Sequence, residues 1–275
     1  MIEVALLSKS EKEISLFIRT SKVNKKGVVL INTGTCIPQQ IYWKFADFLS
    51  LNGYDAITYD YADAQNFSSN VSHIDWLKDM ETALDYVLTH YPNDKKYIVG
   101  HSSGGQLLGY MPNANKFDKL FLIASAHAYW KKMSPISGYA MQLFWKILVP
   151  INIKFNGYFN NKMYGVSGGF PKNIILELRS FCQNKDFFFP FFESKNVQNY
   201  YNEITCPVKA YHLGDDIVAN RISCEDMLLK YKNASKSIET LNAKDYGLSK
   251  FGHRGFFAKK ANESLWPKFL KDLEA

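Results

Sequence analysis

Val28-Val29-Leu30-Ile31, Tyr97-Ile98-Val99 and Leu120-Phe121-Leu122-Ile123 are short apolar runs with no polar residue alternating through them. A strand with one face in water alternates apolar and polar residues, whereas a strand covered on both faces does not. Sheets covered on both faces are mostly parallel, and helices supply the cover. These runs constrain the chain more than any other feature, because they require a central parallel sheet between two helical layers.

The cover is legible between them. Residues 39–52 place Ile41, Phe45, Phe48 and Leu49 at helical spacing and close on Asn52-Gly53, and residues 75–89 turn Trp76, Met80, Leu84, Tyr86 and Val87 toward a core. Two antiparallel strands at 3–7 and 14–19 come first, a strand at 56–61 separates the two helices, and residues 103–110 suit a short helix. Further on, strands at 208–212 and 237–241 alternate with helices at 222–231 and 265–273, the last accommodating Pro267 in its first turn. This rhythm predicts an α/β fold with a mostly parallel sheet and helices on both faces.

Between residues 126 and 203 the rhythm breaks. The stretch is rich in aromatic residues: Tyr129, Trp130, Phe144, Trp145, Tyr158, Phe159 and the run Phe187-Phe188-Phe189-Pro190-Phe191-Phe192. An insertion of this length between two core strands makes a cap over a site or a side domain. At 275 residues, with no obvious linker, the chain is expected to be one domain, with a core of residues 1–125 and 204–275 and an inserted aromatic cap of residues 126–203.

Charge and composition narrow the function. The 33 Lys+Arg against 26 Asp+Glu are scattered as pairs such as Lys25-Lys26 and Lys259-Lys260 and accompany no nucleic-acid motif, so no nucleic-acid partner is expected. Cys36, Cys182, Cys206 and Cys224 form no Cys-x-x-Cys pair, which points to neither a disulfide framework nor a zinc site. No apolar run reaches the roughly 18 residues that cross a bilayer, and Met1-Ile2-Glu3-Val4 does not begin a secretory signal. A cytoplasmic protein without a membrane span is expected.

The chemistry centres on Gly100-His101-Ser102-Ser103-Gly104, which follows one buried strand and precedes a helix. Gly-x-Ser-x-Gly in that context is a nucleophile elbow, a sharp turn that lifts a strained serine above the sheet while glycines admit neighbouring backbone. A serine hydroxyl needs a base within hydrogen-bond reach and a third group to hold that base. The chain supplies both in order. Leu213-Gly214-Asp215-Asp216 leaves a strand at the sheet edge where ligands bind, and Phe251-Gly252-His253-Arg254-Gly255 follows the last strand. Ser102 is the expected nucleophile, His253 the base and Asp216 the acid, with Asp215 as the alternative acid.

Donors for a developing oxyanion are expected from the backbone N–H of Ser103 and from the Thr33-Gly34-Thr35 turn, with Thr33 and Gly34 as its candidates. Cys36 in that turn reads as a small buried thiol. His101 is expected to point away from the nucleophile, His73 and His90 to flank a surface helix, His212 to lie in a strand and His127 to line the pocket.

On these residues the chain resembles the α/β-hydrolase superfamily over nearly its whole length. More closely, it is similar to a bacterial subfamily of α/β hydrolases without assigned substrate, through Ile31-Asn32-Thr33-Gly34-Thr35-Cys36-Ile37-Pro38-Gln39, Gly100-His101-Ser102-Ser103-Gly104-Gly105-Gln106-Leu107-Leu108-Gly109 and Phe251-Gly252-His253-Arg254-Gly255-Phe256-Phe257. The resemblance implies a triad of Ser102, Asp216 and His253, no metal or organic cofactor, and a cap. Two positions depart from the superfamily: Asp60-Tyr61-Ala62-Asp63-Ala64 replaces the frequent Asp-x-Arg-Gly-x-Gly-x-Ser, and Asn220 stands where a proline is common. The expected function is hydrolysis of an ester or related acyl bond in an apolar small molecule through an acyl-enzyme on Ser102. A serine peptidase, an acyltransferase and a catalytically silent binding protein are the alternatives.

Overall fold

The computed structural model describes residues 1–133, 135–161, 168–261 and 263–275, so positions 134 and 162–167 of the expected cap lie outside the described residues. The chain opens with β1 (Ile2–Leu7) and β2 (Glu13–Arg19), followed by β3 (Gly27–Asn32), α1 (Trp43–Leu51), β4 (Tyr54–Tyr59), α2 (His73–His90), β5 (Lys96–His101), α3 (Ser103–Gln106) and β6 (Lys119–Ile123). The inserted stretch holds α4 (Pro135–Leu143), α5 (Val149–Asn156), a short pairing of β7 (Phe159–Asn160) with β8 (Gly169–Phe170), α6 (Lys172–Gln183) and α7 (Phe189–Ser194). The core resumes with β9 (Val208–Leu213), α8 (Arg221–Leu228), β10 (Lys236–Leu241) and α9 (Leu265–Glu274).

Eight strands form one sheet in the order β1-β2-β4-β3-β5-β6-β9-β10. β1 and β2 pair antiparallel, β2 meets β4 antiparallel, and every pairing from β4 to β10 is parallel. The apolar runs behave as their composition requires. Along β3, Val28 and Leu30 enter the core on one face, with Trp76 and Met80 of α2, while Val29 and Ile31 enter the other, with Phe45 of α1 and Trp266 and Phe269 of α9. All four β3 side chains are inaccessible to solvent.

Local signals set the element ends. Ser72 caps α2 reciprocally with Asp75, which explains why this helix starts at His73, two residues before the expected start at 75. His73, expected at a surface, is instead buried: its Nδ1 meets Glu177 of α6 at 2.7 Å, because α6 covers the first turn of α2. The expected helix 103–110 is a single α turn that tightens into a 3₁₀ segment at Leu107–Tyr110. The aromatic run of the insertion packs as core. Phe187, Phe188 and Phe192 are buried with Phe181, Tyr110 and Tyr201, in rings meeting at 4.5–6.1 Å.

Candidate active site

β5 ends in Gly100-His101, and Ser102 follows in a left-handed conformation, φ 51° and ψ −119°. For a residue with a Cβ such a backbone costs about 1–3 kcal/mol, and it persists only where surroundings enforce it. Here Ser102 N–H donates to the Ile123 carbonyl at 2.9 Å, and the Ser102 carbonyl accepts from Gly105 and Gln106 N–H at 3.0 Å each. A Cβ on Gly104 would stand 2.6 Å from the Thr33 carbonyl oxygen, and one on Gly100 equally close to that of Gly104. The turn closes only because these side chains are missing.

Three elements converge on the serine. Ser102 Oγ lies 2.9 Å from His253 Nε2, and His253 Nδ1 lies 2.7 Å from Asp216 Oδ2. Asp216 follows β9 and its side chain is fully buried. Burial opposes its ionisation, but hydrogen bonding and charge attraction from His253, with backbone N–H groups of Val218 and Ala219 on Oδ1, outweigh it and hold the carboxyl below its ordinary range. A carboxylate so held favours the Nδ1–H tautomer of His253, which turns the Nε2 lone pair toward Ser102 Oγ.

The two adjacent aspartates have different partners. Asp215 accepts from Phe251 N–H at 2.9 Å and from Gly252 N–H at 3.1 Å, the two residues preceding His253. It braces the backbone of the histidine loop, while Asp216 meets the ring. Asn220, the departure from proline, caps α8 by accepting from Ser223 N–H at 3.0 Å and donates to the Lys132 carbonyl at 3.1 Å.

The Thr33–Thr35 turn packs directly on Ser102: a Cβ on Gly34 would come within 3.4 Å of Ser102 Cβ and 3.2 Å of His101 Nδ1. The N–H of Gly34, expected as an oxyanion donor, is given to the Tyr42 hydroxyl at 2.9 Å. Tyr42 passes its own proton to His101 Nδ1 at 2.7 Å, and His101 Nε2 donates to the His253 carbonyl at 2.9 Å. The carbonyl acceptor requires a hydrogen on Nε2, and with the imidazole neutral Nδ1 accepts from the Tyr42 hydroxyl. Complete burial and the neighbouring His253 push the His101 pKa down to about 3. Thr33 directly follows β3, and its carbonyl packs so close to Gly104 that a Cβ there would stand 2.6 Å from it. Among the described residues the backbone N–H groups of Thr35 and Ser103 have no acceptor.

Burial, with the charge of Asp60, raises the Cys36 thiol far above neutrality, so it stays protonated. His127 is buried against Phe187, 5.2 Å between rings, and its Nδ1 has no partner among the described residues. His212 lies in β9 as expected.

The family model described as Serine aminopeptidase, S33 matches residues 23–164, just over half of the chain and including the elbow. The chain belongs to this family. Like other α/β hydrolases, this S33 member carries its elbow on a central strand of a mostly parallel sheet. No curated protein matches the chain. Solved structures share the fold. A soluble variant of monoglyceride lipase from Saccharomyces cerevisiae, in complex with a substrate analog, superposes with TM-score 0.70 at 15% identity, over 100% of this chain and 95% of that one. An esterase from Exiguobacterium antarcticum gives 0.62 at 13% over 100% of both chains, and a bromoperoxidase from Bacillus anthracis gives 0.61 at 18% over 100% of both.

Sequence reasoning missed Tyr42 and the bracing part of Asp215. Tyr42 lies one residue before α1 and reads as core, and its only signal is a hydroxyl on a residue that helical spacing buries.

Proposed function

We propose that this S33 hydrolase cleaves a carboxylic ester through an acyl-enzyme on Ser102, with His253 as general base and acid and Asp216 as the carboxylate that orients it. The observation that carries the reading is the unbroken chain from Ser102 Oγ through His253 to buried Asp216, at 2.9 and 2.7 Å. His253 Nε2 takes the Ser102 proton as Oγ attacks the carbonyl carbon, then returns it to the departing alcohol oxygen. Water, deprotonated by the same nitrogen, attacks the acyl carbon and releases the acid and Ser102.

The tetrahedral oxyanion is held by Ser103 N–H and, with Gly34 committed to Tyr42, by Thr35 N–H from the facing turn. Each such donor is worth about 3–4 kcal/mol in the transition state. Residues 126–203 act as the cap of this site. The monoglyceride lipase and esterase likenesses are compatible with a small-molecule ester substrate. The family description raises a peptidase reading. An aminopeptidase needs a free carboxylate for the substrate ammonium, and in this loop both Asp215 and Asp216 are already committed.

Incubation with a fluorophosphonate probe tests the reading by intact mass, with p-nitrophenyl esters and an alanine p-nitroanilide as competing substrates. Labelling and ester turnover that vanish in Ser102→Ala are expected. Anilide turnover above ester turnover favours the peptidase, and absence of labelling in folded protein sinks the acyl-enzyme.

A further inference from the structure

α4, a five-residue π-helical turn at Phe144–Leu148 and α5 run on from one another as a single helical stretch across the inserted segment. Its outward side is apolar. Ile136, Tyr139, Leu143, Ile147, Ile151 and Phe155 recur at steps of three and then four residues, and each is exposed by 46–85%. Steps of four drift by about 40° each on an α-helix, and the wider π turn offsets that drift, which keeps the stripe on one side. The inner side is apolar as well, through buried Trp145 and Val149. An apolar outer stripe on a helix is normally covered by a core or by lipid, and among the described residues this one has protein on its inner side only.

Charge identifies what covers the other side. From Lys119 to Leu176 the chain holds seven lysines and no Asp or Glu, and the charged residues exposed along the helical stretch are Lys146 and Lys154. A second copy docked face to face would set these lysines against their own counterparts with no carboxylate in the stretch to pair them. An apolar stripe flanked by lysines matches the boundary between anionic headgroups and acyl chains. The patch also leads toward the candidate site: Tyr139 packs on Trp130 at 6.3 Å, Lys132 receives Asn220, and exposed Ile217 and Ile222 stand on either side of that asparagine, next to Asp216.

We propose that this stretch lies in the surface of an anionic lipid bilayer and docks the protein there, parallel to the membrane and without crossing it. The proposal is independent of the hydrolytic reading, since it concerns a surface and not the serine. Flotation with vesicles of phosphatidylcholine plus phosphatidylglycerol, and with phosphatidylcholine alone, tests it. The protein is expected to float with the mixed vesicles and far less with the neutral ones.

Ile136→Ser combined with Phe155→Ser alters exposed side chains, so circular dichroism should be unchanged while vesicle affinity falls at least about tenfold. Lys146→Gln and Lys154→Gln should each lower affinity about fivefold for the mixed vesicles. Wild-type protein that stays in solution, or variants that float as well as wild type, would overturn the proposal. So would a dimer in sedimentation velocity that the serine substitutions disperse, because the face would then belong to a second copy.

Discussion

His101 donates through Nε2 to the backbone carbonyl of His253 at 2.9 Å, so the residue before Ser102 holds the backbone of the histidine that faces it. The same ring accepts from Tyr42, which accepts from Gly34, and one chain of hydrogen bonds thereby ties the Thr33–Thr35 turn to the histidine loop. Tyr42→Phe breaks two links at once in a fully buried position. It should lower kcat about tenfold with little change in KM. His101→Ala should lower kcat about a hundredfold, and His101→Gln, whose amide can still donate to the carbonyl, should recover part of it. Equal kcat in all three variants would remove any positioning part for this chain.

Protonation of His101 sets a pH dependence of stability. Its pKa falls from 6.5 to about 3 on folding, so between those values the unfolded chain binds the extra proton. Stability from this group is complete above about pH 6.5 and is lost as pH falls toward 3, by up to about 1.4 kcal/mol per pH unit. His127, lowered to about 4 chiefly by burial, acts in the same direction. Urea unfolding at pH 7 and pH 5 should show a drop in wild type that shrinks in His101→Gln. An unchanged drop would mean that this imidazole is not the group responsible.

The adjacent aspartates should separate kinetically. Asp216→Asn leaves the size of the group but lets His253 take the wrong tautomer, which should cost about 10⁴ in kcat. Asp215→Asn weakens charge-assisted bonds to Phe251 and Gly252 N–H and shifts the loop, which should cost about 10 to 100-fold. Steady-state rates on one p-nitrophenyl ester decide this, and the reverse ranking would exchange the two assignments.

Gly34→Ala should harm activity more than stability. Its Cβ would press Ile37 Cδ1 at 2.8 Å and crowd Ser102 Cβ at 3.4 Å. The isoleucine end can shift, limiting the destabilisation to about 1–3 kcal/mol, while the nucleophile loses its position. A large loss of active-site labelling with a melting point lowered by only a few degrees is the expected pattern.

The sheet and its helical cover were legible in the sequence, and so was the succession of Ser102, Asp216 and His253 on which the proposed mechanism rests. Each rests on local signals, namely β-rich runs without polar alternation, helical spacing, and a glycine-bounded serine between a strand and a helix. Which residues hold those elements in register was not legible. Asp215 and Asp216 are identical side chains one position apart, and only the approach of the loop carrying Phe251 and His253 gives one the backbone and the other the ring. Gly34 looked like a donor because no local signal reveals that the Tyr42 hydroxyl takes its N–H. The aromatic insertion reads from its sequence as a cap or a side domain, and only packing places Phe187, Phe188 and Phe192 inside. The sequence by itself determined the elements and the turns that carry Ser102, Asp216 and His253, because propensity and turn chemistry act between near neighbours. The partner of each polar group was decided by tertiary structure alone, because those contacts join residues as far apart as 102 and 253.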